Sequence, residues 1–489
     1  MTPTGRNRSR PDRVLLAALL AAATASGCAP FSADGGMVAV EAASAEIGQQ
    51  AVKIRDEAAA AHAAGRVKAL LAEPLTAASA VQIALLSNRG LQAAYNDLGI
   101  SEAEMVEASL PPSPTLSIHR LIGGGGFEIE RQVVANVLAL LTLPRRREIA
   151  ALRFRQAQAR AVEATLRVSV EAARAFYRAV AAEEATRFLA DARASAETVS
   201  ELAKRLGETG AMSKLDQARE HAFYAEISAQ VAAARLRQRV ERERLVRALG
   251  VWGADAAFRL PRRLPALPAK PRTLPSVERE AVLRRIDLAI ARAELDVLAA
   301  ELGLTRRTRF VNLLEAAGVS TSEKEVKAGP EGEVEVDKVS RRGFGLDVQI
   351  PIFDLGEART RKAEEAYMRA VNRLLQRAAE VRSEAREAYQ LYRGAYDIAR
   401  HYQNEVLPLR QIISEETLLN YNAMIRDLFA LLGDARARIL ANVQAIEARR
   451  DFWVASVDLG AAIMGGRGGG EAGEMPRAAA SAAAEPAGH

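Results

Sequence analysis

RRGFGLDVQIPIFDLGEARTRK, residues 341–362, joins the pattern of a β-strand directly to the pattern of a helix. Apolar and polar side chains alternate up to Gln349, and this period of two is typical of a strand with one apolar face. Pro351 cannot donate a hydrogen bond to a neighbouring strand, so it suits a strand end. From Glu357 to Leu407 the chain has no proline, and its apolar residues follow helical spacing. The predicted apolar face of the strand comprises Phe344, Leu346, Val348 and Ile350.

The composition of the chain favours long helices over a compact enzyme. Its 489 residues are 49% hydrophobic but only 5% aromatic, which argues against an aromatic-rich pocket. The net charge of +6 is modest, and both signs are interspersed along the helical runs, which predicts solvated helix faces rather than a nucleic-acid surface. After the first 27 residues, no stretch of 18 consecutive apolar residues predicts a membrane-spanning helix.

Residues 1–27 are predicted to be a lipoprotein signal peptide. Arginines among positions 6–13 precede the 12-residue apolar run Val14–Ala25, which is too short to cross a bilayer. Cys28, the only cysteine, follows Ser-Gly directly and resembles the lipobox of bacterial lipoproteins. That resemblance implies cleavage before Cys28 and a covalent lipid such as palmitate on it. The alternative is an unmodified cysteine beside an ordinary cleavage site.

The rest of the chain follows one pattern twice, at an interval of roughly 210 residues. The first copy, 28–250, is predicted to hold helices at 38–64 and 76–108, strands within 115–143 and a helical hairpin over 145–250. The second copy, 276–464, is predicted to hold a helix at 276–303, strands at 308–319 and 341–350 within 308–353, a polar loop at 320–340 and a helical hairpin over 357–463. A proline-rich connector, 251–275, separates the copies, and 465–489 is predicted to be a disordered tail.

Four amphipathic strands in one chain are too few to close a barrel. About eight strands only just enclose a space, and side chains fill it. The strands must therefore pair with those of other copies, and two copies would give a filled barrel where three would give an open one. Helical arms of this length must also pack sideways against other helices.

Several segments together resemble the bacterial outer-membrane efflux proteins, the TolC-like channels. They are the junction GLDVQIPIFDLGEAR, the turns RLGETGAMSKLD (205–216) and NYNAMIRDLFALLGDAR (420–436), the connector, the repeat and the lipoprotein-like start. The resemblance spans Cys28 to about Gly465. It implies a homotrimer with a 12-stranded barrel in the outer membrane and a long α-helical barrel through the periplasm. It further implies docking to a periplasmic adaptor and an inner-membrane pump, as the passive exit duct of a tripartite exporter.

On this resemblance, the two helical turns form the adaptor-docking tip. The tip residues are Gly207, Gly210, Ala211, Met212, Tyr421, Asn422, Ala423 and Met424. Asp216 and Asp427 follow the turns at similar offsets and are candidates for a pore constriction, since rings of carboxylates favour cations. The alternative for both is an ordinary acid at a helix start.

Motifs for catalysis, a cofactor or a metal do not emerge from the sequence. The five histidines have no paired metal-ligand spacing, and the single cysteine sits at the processing site. The sequence therefore predicts no enzyme. The competing hypothesis is a lipid-anchored periplasmic coiled-coil scaffold without a pore, which does not explain the paired strands. The cargo stays open, because in such systems the pump usually selects it.

Overall fold

The structure is a computed structural model, and it describes residues 31–123, 126–328, 334–423, 425 and 428–465. In chain order the helices are α1 (Val38–Glu46), α2 (Glu57–Ala72), α3 (Ala77–Ser87), α4 (Arg89–Ser109), α5 (Val137–Glu208), α6 (Lys214–Leu249), α7 (Val277–Arg284), α8 (Ile286–Arg307), α9 (Glu357–His401), α10 (Leu407–Asn422) and α11 (Leu428–Met464). The strands are β1 (Thr115–Gly123), β2 (Gly126–Asn136), β3 (Leu313–Ala328) and β4 (Val334–Gln349). The predicted class, mainly helical with four strands, is confirmed. Within the described ranges, no helix is both long enough and apolar enough to span a membrane.

The four strands form one antiparallel sheet in the order β1-β2-β3-β4. Strand β1 pairs with β2 from Thr115↔Val134 to Gly123↔Gly126. Strand β2 in turn pairs with β3, and β3 pairs with β4 over the full length of both strands. Strands β1 and β4 are therefore the two edges of the sheet, and each pairs with one neighbour among the described strands.

Two predicted strand boundaries were wrong. Residues 137–143 belong to α5, because the Asn136 side chain accepts a hydrogen bond from the backbone N–H of Ala139 (2.7 Å) and starts a helix there. Pro144 then lies inside the helix. In the second pair, residues 308–312 precede β3, since α8 runs on to Arg307.

The polar loop predicted at 320–340 was also wrong in large part. Strands β3 and β4 continue through this region to the pair Ala328↔Val334, so they form a long hairpin. Its side chains are mostly polar, and polar composition alone indicated a loop. The backbone pairing of the two strands, which a single sequence does not display, overrides that indication.

The helices predicted at 38–64 and 76–108 are each broken once. Gly48 has a φ of 70°, and Asp56 starts α2 by accepting a hydrogen bond from the backbone N–H of Ala59 (2.7 Å). Asn88 has extended backbone angles between α3 and α4, and its side chain accepts a hydrogen bond from the N–H of Leu91 (3.0 Å). Both breaks therefore come from short polar side chains that compete with the helical backbone.

The strand-to-helix junction is a tight turn between β4 and α9. The carboxylate of Asp354 accepts hydrogen bonds from the backbone N–H groups of Gly356 (3.0 Å) and Ala358 (3.3 Å). Leu355 and Gly356 both have positive φ, at 49° and 72°. The guanidinium of Arg309 donates to the Leu355 carbonyl (2.8 Å), so the turn is held from the end of α8.

The long second-repeat arm passes a proline without ending. A π-helical turn, Tyr402–Val406, separates α9 from α10, and the N–H of Leu407 bonds to the carbonyl of Tyr402. Pro408 follows at the start of α10. Proline has no N–H for the normal helical bond, and the wider π turn absorbs that loss within a continuous helical path.

The chain forms two compact units, and each draws on both halves of the sequence. Among the described residues, the first unit gathers 31–36, 97–158 and 290–375, and it contains the sheet. The second gathers 37–96, 159–289 and 376–465, and it contains the turns of both helical hairpins. The spatial units therefore differ from the two copies of the sequence pattern.

An aromatic cluster organises the second unit around the proline-rich connector. Its rings are Phe176, Tyr177, Tyr392, Tyr396, Phe452 and Trp453, with centroids 5.1–5.6 Å apart in the contacting pairs. Three of these side chains hydrogen-bond to the connector backbone. Trp453 donates to the Pro265 carbonyl (3.0 Å), Tyr396 donates to the Pro268 and Ala269 carbonyls (3.0 Å each), and Tyr392 accepts from the Arg272 N–H (3.0 Å). The connector is thus a packed element of this unit.

Candidate functional site

The first helical turn ends α5 with a left-handed glycine. Gly210 has a φ of 77°, its N–H bonds to the Gly207 carbonyl (3.1 Å), and the N–H of Ala211 bonds to the Leu206 carbonyl (2.8 Å). This pair of bonds is the Schellman arrangement, which satisfies the last carbonyls of a helix and favours glycine at the left-handed position. Gly207 lies beside the Gln217 side chain, whose terminal amide would have to move to make room for a Cβ at this position.

Asp216 lies at the start of α6 and is engaged locally. Ser213 caps the helix by accepting from the N–H of Asp216 (3.1 Å), and its hydroxyl donates to the Asp216 carboxylate (2.7 Å). Arg219 lies 3.7 Å from the same carboxylate. These contacts are those of an acid at a helix N-terminus. The predicted role of Asp216 in a constriction stays a prediction, and Asp427 and Met424 lie outside the described residues.

The second turn closes α10 without a glycine. The N–H of Ala423 bonds to the Leu419 carbonyl (2.9 Å), and the N–H of Ile425 bonds to the Asn420 carbonyl (2.8 Å). Tyr421 and Asn422 are the last exposed residues of α10 before this turn. The turn therefore has a bonding pattern like that of the first turn, built from different residues.

Packing between the two hairpins places both turns at the same end. Phe223, Ile227 and Val231 of α6 form a buried cluster against which Leu432 and Ile439 of α11 pack. Two ion pairs also cross between these helices: Arg436 lies 3.5 Å from Glu226, and Arg237 lies 3.0 Å from Glu447. In both pairs the partners are 210 positions apart, which matches the repeat interval seen in the sequence. Helices α6 and α11 therefore run parallel from their two turns.

The turns carry exposed apolar side chains that the sequence analysis did not single out. Ile425 is 71% exposed, and Leu202 and Leu215 near the first turn are also exposed, as are Leu418 and Leu419. The sequence shows apolar residues on both sides of each turn, and these residues are the signal from which an apolar surface could have been predicted. An apolar end on two parallel hairpins is a surface suited to a protein partner.

One buried carboxylate lies close to this end. Glu220 is 1% exposed, and among the described residues neither of its carboxylate oxygens has a hydrogen-bond partner. Burial raises its pKa above the usual value, Arg436 opposes that rise, and Asp216 adds to it. The packing at the start of α6 is therefore sensitive to protonation of this side chain.

The face of β4 predicted to be apolar is exposed. Phe344 is 93% exposed, and Leu346, Val348 and Ile350 are exposed as well. The pairing register aligns Phe344 with Gly318, Val133 and Leu116 across the whole sheet. Leu116 and Val133 are also exposed. A sheet with an uncovered apolar face and two edge strands is open to further pairing and burial.

A metal centre has no counterpart in the described residues. Within them, no group of three or more His, Cys, Asp or Glu side chains is placed to hold a metal ion. Cys28, the predicted lipidation site, lies outside the described residues.

Comparison with known proteins gives matches in structure only. No protein-family model matches the sequence, and no curated protein matches it. Among solved structures, CusC, studied for its folding and transmembrane channel formation, aligns with a TM-score of 0.65 at 16% identity, covering 82% of this chain and 92% of CusC. The outer membrane protein VceC of Vibrio cholerae aligns with a TM-score of 0.63 at 12% identity, covering 83% of this chain and 97% of VceC. The CmeC outer membrane channel of Campylobacter jejuni aligns with a TM-score of 0.57 at 16% identity, covering 83% of this chain and 86% of CmeC. These likenesses extend over most of both chains, and they show that this chain has the fold of the TolC-like outer-membrane channels.

Proposed function

We propose that this protein is one subunit of an outer-membrane channel that serves as the passive exit duct of a tripartite export system. In this role it performs no catalysis and works with a periplasmic adaptor and an inner-membrane pump. The observation that carries the proposal is the four-stranded sheet with two edge strands and an exposed apolar face. The shared fold with proteins described as outer-membrane channels supports it.

The sheet favours a trimer. An exposed strand edge offers unpaired backbone groups to a further strand, and here that strand can come from a second copy of the chain. Two copies would give eight strands, which side chains fill, whereas three copies would give 12 strands and an open lumen. Phe344, Leu346, Val348 and Ile350 then face lipid, where their exposure becomes favourable.

The helical turns are proposed as the adaptor-docking tip. Gly207, Gly210 and Ala211 keep the first turn small, and the exposed Ile425 beside Ala423 gives the second turn an apolar surface. Small residues allow a partner backbone to approach closely, and exposed apolar side chains supply the buried area that binding needs. Asp216 and Asp427 are proposed to narrow the channel beside the two turns.

Cys28 is proposed to carry the lipid that anchors the chain to the outer membrane, because several acyl chains on one residue anchor stably. Mass spectrometry of the protein extracted from membranes tests this proposal. Wild-type protein with a lipid-modified N-terminal cysteine, and a Cys28→Ser variant without that modification, would support it. An unmodified Cys28 would contradict the anchor without affecting the channel proposal.

Conductance across a planar lipid bilayer, combined with the mass of the detergent-extracted oligomer, tests the central proposal. A channel-forming trimer is expected, and Asp427→Ala is expected to raise conductance and reduce cation selectivity. A stable monomer or dimer that never conducts would contradict the proposal and favour the lipid-anchored scaffold. Unchanged conductance and selectivity in Asp427→Ala would remove only that residue from the constriction.

A further inference from the structure

The two faces of the sheet differ sharply in charge. We call them the Phe344 face and the Asp347 face, after two residues of β4 that are three positions apart and therefore point to opposite sides. The strand residues with described side chains are 115–123, 126–136, 313–324 and 336–349. The register assigns five basic residues to the Phe344 face, namely Arg120, Arg131, Lys324, Lys338 and Arg342. Among those strand residues, this face carries no aspartate or glutamate.

The Asp347 face has the opposite character. Its acidic residues within the same ranges are Glu128, Glu130, Glu315, Glu323, Asp337 and Asp347. Arg341 is the one arginine on this face within the same ranges, and its guanidinium lies 3.6 Å from the carboxylate of Glu323 on the neighbouring strand. Arg342, the next residue, points to the other face. The basic residues of the Phe344 face are thus separated by the whole sheet from the carboxylates that would neutralise them.

The basic residues occupy consecutive rows beyond the apolar ones. One row across the sheet contains Leu116, Val133, Gly318 and Phe344. The next row away from the helices contains Ile118, Arg131, Ser320 and Arg342. The next row contains Arg120, and the one after it pairs Lys324 with Lys338. Arg120 and Lys324 both lie over the ring of Phe127, at 5.3 and 5.9 Å from its centroid. All five residues therefore lie on the part of the sheet that is remote from the helices.

The dimensions place these rows at a membrane boundary. Strand residues advance about 3.3 Å each, so Arg342 and Lys338 lie about 23 Å and about 36 Å along β4 from Gln349. Strands of an outer-membrane barrel tilt by about 40°, so these lengths correspond to heights of about 18 Å and about 28 Å, and the apolar band is about 25 Å tall. Beyond Gln349, Ile352 is exposed and Phe353 is 99% exposed, and an aromatic ring of this kind suits the opposite boundary. When the junction lies at one boundary, the rows from Arg342 to Lys338 span the other.

We propose that these five residues bind the phosphate groups of anionic lipids in the outer leaflet of the outer membrane, and so fix the depth of the barrel. This inference rests on the proposed channel function. Charge complementarity selects the occupant, because a basic face without carboxylates next to hydrocarbon is matched by a lipid with a phosphorylated headgroup. Arginine suits this role, since its guanidinium binds phosphate with two hydrogen bonds while its stem stays along the apolar surface.

The first experiment uses the wild-type protein. The full chain is reconstituted into phosphatidylethanolamine vesicles that contain either diphosphoryl lipid A or the same lipid with its phosphates removed. Lipid that stays bound after detergent extraction is counted by native mass spectrometry. Retention of the phosphorylated form alone is expected. Equal retention of both forms would overturn the proposal.

Two neighbouring arginines supply a matched pair of variants. Arg342→Gln is expected to weaken retention about 5-fold, and Arg131→Gln combined with Arg342→Gln about 30-fold, the factors for losing one and two basic residues at a membrane surface. Arg341→Gln, on the Asp347 face, is expected to leave retention unchanged. Equal losses in Arg341→Gln and Arg342→Gln would also overturn the proposal.

Conductance in bilayers of phosphatidylethanolamine alone separates this inference from the proposed function. A wild-type protein that conducts but shows no preference for phosphorylated lipid would contradict the proposed lipid site and leave the proposed channel function unaffected. A wild-type protein that never conducts would contradict the proposed channel function, whether or not it retains the phosphorylated lipid.

Discussion

Gly356 lies where strand β4 turns into helix α9, and the surrounding backbone leaves no room for a side chain. Its φ is 72°, and an added Cβ would lie 2.3 Å from the carbonyl oxygen of Arg309. We predict that Gly356→Ala lowers the free energy of unfolding by about 2–4 kcal/mol, because left-handed strain and a backbone clash add together. Thermal unfolding followed by circular dichroism measures the effect.

Gly394→Ala is the matched control for this substitution. Gly394 lies in α9, and an added Cβ there would meet no atom within 4 Å. Alanine is a better helix former than glycine by about 1 kcal/mol, so this variant is expected to be as stable as wild type or slightly more stable. Equal losses at both positions would show that the junction imposes no special restraint.

The junction also shows how far single residues could be predicted. Pro351 marked the end of the strand in the sequence, because proline cannot donate a hydrogen bond to a neighbouring strand. The positive φ of Leu355 had no such signal, since leucine rarely adopts it. A hydrogen bond from Arg309, 46 positions earlier, holds Leu355 there, and a contact at that separation has no local pattern.

Glu220 gives a prediction that depends on pH. Burial raises the pKa of its carboxyl in the folded protein above the pKa in the unfolded protein. The contribution of this group to stability is therefore greatest at a pH below the pKa of the unfolded state. It is lost as the pH rises through the pKa of the folded state. Glu220→Gln resembles the protonated form. It is expected to unfold at a higher temperature than wild type at pH 7.5, with a difference that shrinks toward pH 4.5. Melting temperatures between pH 4 and 8 test this expectation.

The control for Glu220 is an exposed acid on the neighbouring helix. Glu197 lies on α5 and is exposed, so Glu197→Gln is expected to leave the melting temperature almost unchanged at every pH. A Glu220→Gln difference that stays constant across the pH range would mean that its charge does not cause the effect.

At the scale of elements, the proline-rich connector is fixed by aromatic side chains. The Tyr396 hydroxyl lies 3.0 Å from both the Pro268 and Ala269 carbonyl oxygens, and the ring is buried. Tyr396→Phe keeps the ring and removes the donor. We predict a loss of about 1 kcal/mol in the free energy of unfolding, the usual net contribution of one hydrogen bond. Denaturant unfolding of the purified protein measures this loss.

Tyr421→Phe provides the comparison, because Tyr421 is exposed at the second helical turn. Its hydroxyl group is expected to contribute little to folding, so the variant should match wild type. If Tyr396→Phe also left the free energy of unfolding unchanged, this hydrogen bond to the connector would contribute no measurable stability.

The existence of the elements could be predicted, but several of their ends could not. Long runs with helical spacing correctly indicated α5, α6, α9 and α11, because such runs carry many independent positions. The break at Asn88 and the helix start at Asn136 each depend on one side-chain hydrogen bond. Asparagine also occurs in turns and strands, so the residue type alone does not decide its conformation.

The candidate docking tip shows the same division. The sequence located both turns, and Gly207, Gly210 and Ala211 lie at the first of them. The exposed Ile425 and Leu215 were missed, since exposure depends on which helix faces are packed. That packing comes from α6 against α11, whose contacting residues are separated by about 210 positions.

At the scale of the whole molecule, the two sequence copies and the two spatial units follow different divisions. The sequence repeats end to end, yet each compact unit draws on segments of both copies. Strands β1 and β2 come from the first copy and β3 and β4 from the second, and they complete one sheet. Duplication is visible in a sequence, whereas this exchange of parts depends on the pairing of β2 with β3, nearly 200 residues apart.

In the proposed channel the Phe344 face of the sheet contacts lipid and the Asp347 face lines the lumen, and this orientation gives the last prediction. Leu346 is on the exposed Phe344 face, and Gln349 is three positions along β4 on the Asp347 face. Leu346→Arg would place a charge in the middle of the lipid-facing band, at a cost of about 2–4 kcal/mol per subunit. The same charge in Gln349→Arg would face the lumen, where it stays hydrated. We therefore expect Leu346→Arg to reduce the membrane-inserted, heat-modifiable oligomer severely, while Gln349→Arg inserts normally and changes only the conductance. The opposite pattern would mean that the Phe344 face lines the lumen, and equal insertion of both variants would mean that neither face contacts lipid.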